Sequence, residues 1–150
     1  MTSYLADVNV WLAIAHQPHV HHAVTRDWFH ALGPDQLFSC RLTQIGLLRL
    51  LTTSPVMGDQ VKTQAEAWKT VDAFCRNARV QYLHEPSGVT EVFRRLTGEP
   101  LPRRGAWSDA YIAAVAIQAG LTVSTFDRDF LRLEVPALIL ATITHHPPPT

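Results

Sequence analysis

Much that would simplify a reading is scarce in this sequence. Only two cysteines occur in 150 residues, Cys40 and Cys75, and they form no metal-ligand pair. Both are expected to be small buried residues of a reducing compartment, with no disulfide and no nucleophilic role. No apolar run reaches the roughly 20 residues of a membrane-spanning helix. The start, MTSYLADVNVWLAIA, is apolar but has no basic lead and carries Asp7 within it, which makes a poor signal peptide. A cytoplasmic protein without a membrane partner is therefore expected. Net charge is absent as well, with 13 Lys and Arg against 13 Asp and Glu. That balance argues against tight, nonspecific nucleic-acid binding through overall charge, while leaving room for a local basic rim. No internal repeat, glycine-rich phosphate loop, dinucleotide fingerprint or Ser-His-Asp arrangement is present.

What remains is an ordinary globular composition, 47% hydrophobic. A chain of this length suits one domain and buries about 70% of its unfolded surface, so a metal would be catalytic and not a staple. The domain is assigned to residues 1–144, and the tail 145–150, HHPPPT, is expected to be disordered.

Patterning alternates strand and helix. Tyr4 to Val8 is a short apolar run typical of a buried parallel strand, with a helix from Asn9 interrupted at Pro18. A helix over Ala23 to Leu32 ends at Gly33-Pro34, followed by a strand over Leu37 to Cys40. A helix over Thr43 to Leu51 stops before Ser54-Pro55. The longest helix is placed from Val61 to Ala78, with Val61, Ala65, Trp68, Val71, Cys75 and Ala78 on one face. Strands are placed over Val80 to Leu83, Leu121 to Thr125 and Ala137 to Ala141. Ser87 is read as the cap of a helix through Leu96, and Ser108 as the cap of an Ala-rich helix from Asp109 to Gly120. This alternation predicts a three-layer α/β domain, a central parallel sheet with helices on both faces. Its ligand crevice lies at the carboxyl ends of the strands.

Three acids fall at that end. Asp7 interrupts an apolar run, where a carboxylate is costly unless paired or metal-bound; an N-cap role is the plain alternative. Asp109 stands in the first turn of its helix, and an acid there also suits the helix dipole. TFDRDF puts Asp127 just after a strand and Asp129 two residues on, the latter equally readable as a cap or a solvated charge. Together, oxygen donors without nearby Cys or His select Mg²⁺ or Mn²⁺ over Zn²⁺. Such a cation activates water and stabilises a phosphodiester during displacement.

Eight histidines are present, four of them clustered at His16, His19, His21 and His22, but without the spacing of a zinc site. Structural or surface roles are expected for these and for His145 and His146. Trp11, Trp28, Trp68 and Trp107 are read mainly as core or interface; Trp107, beside Asp109, has base stacking as its alternative. Arg103-Arg104, in the loop leading to Asp109, is the best candidate for contacting a phosphodiester backbone.

The segments LADVNVWLAIA, HVHHAVTRDWF, LTQIGLLRLLT, WSDAYIAAVAIQAG and VSTFDRDF, in this order, resemble PIN-domain ribonucleases over nearly the whole chain, and among them VapC-type toxins of bacterial toxin–antitoxin pairs. The resemblance implies metal ligation by Asp7, Asp109 and Asp127, with Asp129 as a fourth acid and Asn9 orienting the first. It implies an endoribonuclease leaving 5′-phosphate and 3′-hydroxyl ends, a VapB-type antitoxin partner and a homodimer. Many PIN domains add a Glu on the helix after the second strand, where this chain has only Gln44 or Gly46. One metal ion is therefore expected rather than two, with Gln44 able to hydrogen-bond near it. A PIN-type RNA-processing nuclease without antitoxin and a catalytically inactive RNA-binding module stay open as alternatives.

Overall fold

The structure, a computed structural model, describes residues 2–140. The tail placed at 145–150, with His145 and His146, lies outside the described residues, as does position 141 of the last expected strand.

The first strand, β1 (Tyr4–Ala6), is shorter than its apolar run because Asp7 ends it. The Asp7 carboxylate accepts from the Val8 amide and caps α1 (Val8–Ala15), a stronger local signal than the hydrophobicity of Val8. There follow α2 (His22–His30), β2 (Leu37–Ser39), α3 (Arg41–Leu51), a short α4 (Ser54–Met57) and α5 (Gln64–Cys75). The chain then continues through β3 (Val80–Tyr82), α6 (Val89–Leu96), α7 (Ala106–Ala119), β4 (Thr122–Thr125) and β5 (Ala137–Ile139).

All four strand pairings are parallel, in the order β3-β2-β1-β4-β5. The chain builds outward from β1 on one side, then crosses to build β4 and β5 on the other. The order thus reverses between β1 and β4, the position at which open α/β sheets form their crevice. Strand alternation sends side chains to two separate cores. Ala6, Leu37 and Val80 join Val10, Trp11, Phe29, Leu47 and Val71 under α1, α2, α3 and α5. Leu5 and Val123 join Val92, Ile112 and Val115 under α6 and α7. The expected three-layer α/β architecture is present.

Four local readings are corrected. α5 starts at Gln64, not Val61, because Thr63 and Glu66 form a reciprocal capping box, which outweighs the apolar Val61 upstream. Its inward stripe is Ala67 and Val71, while Trp68 is 46% exposed and Cys75 is exposed; the face named from periodicity points mostly to solvent. Gly88, in a left-handed conformation, caps α6 where Ser87 was expected. Finally, α7 begins at Ala106, since the turn Arg103–Gly105 supplies carbonyls to the amides of residues 106–109 and no Ser108 cap is needed.

Candidate active site

Asp7 and Asp127 follow two neighbouring strands. β1 pairs with β4 so that Ala6 lies opposite Ser124, and the Asp7 amide continues the ladder by donating to the Ser124 carbonyl. One step further, the buried Thr125 hydroxyl donates to Asp7 Oδ2 at 2.9 Å and accepts from the Asp127 amide at 3.0 Å. A single side chain therefore fixes the spacing of two acids. Thr125 was missed in the sequence, because its role depends on the β1–β4 register. Asp127 in turn accepts from the Asp129 amide at 2.9 Å, closing the turn that carries Asp129.

Asp109 is the fourth residue of α7, and the close packing of that helix brings it in. Ala110, Ala113 and Ala114 are fully buried, so the helix lies tight on the sheet with its first turn beside the strand ends. Three of the four acids meet around one side chain, Arg103, while Asp7 stands behind them, tied to the Asp127 amide through Thr125. Arg103 Nη2 lies 2.7 Å from Asp109 Oδ2 and 2.6 Å from Asp127 Oδ2, and its Nε lies 3.4 Å from Asp129 Oδ2. Gly105 leaves room for this, since a Cβ there would stand 2.6 Å from the Arg103 guanidinium.

The charges press on one another. Burial pushes the Asp7 carboxyl above the usual carboxylate range, against the hydrogen bonds from Thr125 and Val8 that favour its ionised form. Asp109 is pushed up to about 6, first by burial and then by the charge of Asp7, with Arg103 opposing. A cation among such charges relieves their repulsion, and here Arg103 is that cation. As placed, no three acidic, His or Cys groups among the described residues close on one common point; the guanidinium spans the gap. The donor set still fits a hard divalent ion, because it is all carboxylate oxygen and one cationic group already bridges three of its members.

The remaining sequence candidates separate. Asn9 is exposed in the first turn of α1, adjoining Asp7. Gln44 points elsewhere: its side-chain oxygen accepts from Arg41, and it lines a small pocket with Trp11 and Leu47. At Gly46 a Cβ would stand 2.6 Å from Val8 Cγ2, so α3 has no room there for a carboxylate. Arg103 and Arg104 divide, the first among the acids and the second exposed on the adjoining surface. The clustered histidines serve packing: His22 Nδ1 contacts the Ala13 carbonyl at 2.7 Å, and the His21 ring stacks on Phe126 at 4.5 Å. Trp107 is 55% exposed, correcting its assignment to the core; Phe93 supports only one edge of it. Among the described residues, no helix is long and apolar enough to cross a membrane.

The PIN domain family matches residues 4–136. Ribonuclease VapC41 of Mycobacterium tuberculosis is 37% identical over 131 residues, covering 84% of this chain and 90% of that protein. Ribonuclease VapC25 of the same organism is 30% identical over 150 residues, covering 97% and 99%. Among solved structures, VapBC2 from Rickettsia felis, bound to a DNA fragment from its promoter, superposes with TM-score 0.68 at 14% identity, over 91% of this chain and 98% of that one. VapC20 of M. tuberculosis, a toxin that cleaves the sarcin-ricin loop, also gives 0.68, at 16% identity, over 88% and 95%.

Proposed function

The chain belongs to the PIN-domain family, and from that premise we propose that it is a Mg²⁺- or Mn²⁺-dependent endoribonuclease, the toxin of a VapBC-type pair. The observation that carries the reading is the gathering of Asp109, Asp127 and Asp129 around Arg103, with Asp7 joined to the Asp127 amide through Thr125, where the strand order reverses. The names of its relatives, ribonucleases of the VapC group, support the substrate class, and the fold neighbour VapBC2 supports the partner class, a VapB-type antitoxin.

These four carboxylates would hold the ion, which supplies an activated water and neutralises charge building on the scissile phosphate. The protein's own part is orientation. Thr125 holds Asp7 and the Asp127 backbone in one register, and capping of α1 fixes the Asp7 rotamer. Asn9, at the same helix end, would steady a group bound at Asp7. Exposed Arg104 is available to a phosphate of the RNA backbone. With Gln44 turned away and no room at Gly46, a single ion suits the donor set better than two. Products would carry 5′-phosphate and 3′-hydroxyl ends, and the functional unit would be a homodimer in the cytoplasm.

The test is cleavage of mixed single-stranded and structured RNA with Mg²⁺, Mn²⁺ or EDTA, with Asp7→Asn and Asp109→Asn as controls. Metal-dependent cleavage by the wild type and none by the variants is expected. Equal cleavage by all three would remove the acidic site from the reaction. Binding without cleavage under every metal condition would favour an RNA-binding module, consistent with the missing acid on α3. Restraint of the activity by the product of a short gene immediately upstream would decide for a toxin–antitoxin pair over an RNA-processing nuclease.

A further inference from the structure

Two depressions in the surface meet along the loop segment 99–101 and Arg103: one continues to Asp109 and Asp129, the other to Arg104 and Trp107. The shared wall sets the Trp107 depression beside the one that holds the carboxylates, at the amino end of α7. Trp107 leaves more than half its surface in solvent, so its ring face is open to a ligand. The indole is also steadied. Phe93 of α6 meets it edge-on at 5.9 Å and 69°, and Phe93 is itself braced by Tyr111 at 5.8 Å. Beside it, Arg104 is exposed and makes no ion pair among the described residues. Around Trp107 the depression is lined by one acid, Glu99, against Arg103 and Arg104.

We infer that Trp107 and Arg104 form a subsite for single-stranded RNA, Trp107 stacking on a base and Arg104 holding an adjacent phosphate of a strand that runs to the carboxylates. This rests on the ribonuclease reading and deepens it. A steadied aromatic face next to a cation, beside the reacting centre, is the means by which proteins hold unpaired strands without reading sequence. A duplex does not present its base faces, so the subsite selects loops and single strands. Trp68, nearly as exposed, also has a cation beside it, Arg49, but its depression reaches none of the four carboxylates.

The experiment measures fluorescence anisotropy of a labelled 12-nucleotide single-stranded RNA and of its duplex, using the full chain with Asp7→Asn to prevent cleavage. Trp107→Ala is expected to weaken single-strand binding about tenfold, with Trp107→Phe restoring most of it. Duplex binding should be weak and unaffected. Arg104→Gln should weaken binding and reduce the salt slope by about 0.7, one phosphate's worth on a single strand. A 2-aminopurine placed along the strand should be quenched by the parent and by Trp107→Phe, but not by Trp107→Ala. Unfolding temperatures of each variant separate lost stacking from lost packing against Phe93. Unchanged RNA binding by a folded Trp107→Ala protein overturns the subsite and leaves the ribonuclease reading intact, and an altered oligomeric state in that variant would reassign the surface to a protein partner. Failure of the parent to bind any RNA overturns both.

Discussion

On the strand side of the carboxylate cluster, Asp7 is buried, caps α1 and takes a hydrogen bond from the equally buried Thr125. On the loop side, Asp109, Asp127 and Asp129 are partly exposed and share one exposed guanidinium. The first set is positioned by β1–β4 pairing and cannot move without disturbing the sheet. The second stands on α7 and on the turn after β4, and its charges are held together by three ion pairs to one arginine. One half of the site is thus architecture and the other is electrostatics, and each half makes its own predictions.

The largest effect belongs to the architectural half. Asp7→Asn keeps the shape and the cap but removes a charge that Thr125 and the α1 amide orient. Cleavage should fall by at least about a thousandfold, equivalent to ~4 kcal/mol of barrier, with Mn²⁺ binding weakened in calorimetry. Retained cleavage would mean that the loop-side acids suffice and would break the comparison.

Thr125→Val sharpens the same half. The change keeps the volume but deletes the hydroxyl that joins Asp7 to the Asp127 backbone. A loss of about ten- to a hundredfold in activity is expected, as for groups that orient metal ligands, with recovery in Thr125→Ser. A fall in unfolding temperature with full activity would reduce Thr125 to a packing role.

How much was legible beforehand follows the same division. The apolar runs and their order disclosed the layers, and the positions of Asp7, Asp109 and Asp127 after strands or at a helix start disclosed the acids. Thr125 was not legible because its importance arises from the pairing of β1 with β4, over a hundred residues apart in sequence. The outward turn of Trp68 and Cys75 was not legible either. Apolar residues recur at helical spacing on more than one line of α5, and only contact with the neighbouring core selects Ala67 and Val71. For Trp107 the sequence offered both a core role and base stacking, and only its 55% exposure decides against the core, since periodicity cannot tell a covering aromatic from an open one.

A smaller effect tests the electrostatic half through pH. Asp109 is pushed up to about 6 by burial and by Asp7. The folded protein therefore holds this proton more tightly than the unfolded chain does. Its stabilising contribution is complete below the ordinary carboxylate pKa near 4 and is lost as pH rises through about 6. Metal-free Asp109→Asn should accordingly be more stable than wild type at pH 7.5 by about 1–2 kcal/mol, after discounting for solvent at this half-buried site, and no more stable at pH 4. Cleavage by the wild type should rise over the same interval, because a cation binds the ionised carboxylate and displaces the proton. A stability difference independent of pH would place the ionisation elsewhere.

The smallest effect falls on Arg103, and its sign is the informative part. The guanidinium is largely exposed, so each of its ion pairs contributes under about 1 kcal/mol to the metal-free fold. Yet it occupies Oδ2 of Asp109, Asp127 and Asp129 together, the oxygens that a divalent ion would take. Arg103→Gln should lower the unfolding temperature slightly in EDTA, because the acids lose their counterion and repel. It should also raise Mn²⁺ affinity severalfold, because the ion no longer displaces a competitor; relief of 1 kcal/mol corresponds to about fivefold. The two shifts must run in opposite directions if the loop side is held by an exchangeable charge. If Mn²⁺ binds more weakly to Arg103→Gln, the arginine supports the ion instead of standing in for it, and the loop would then belong to the architectural half with Asp7 and Thr125.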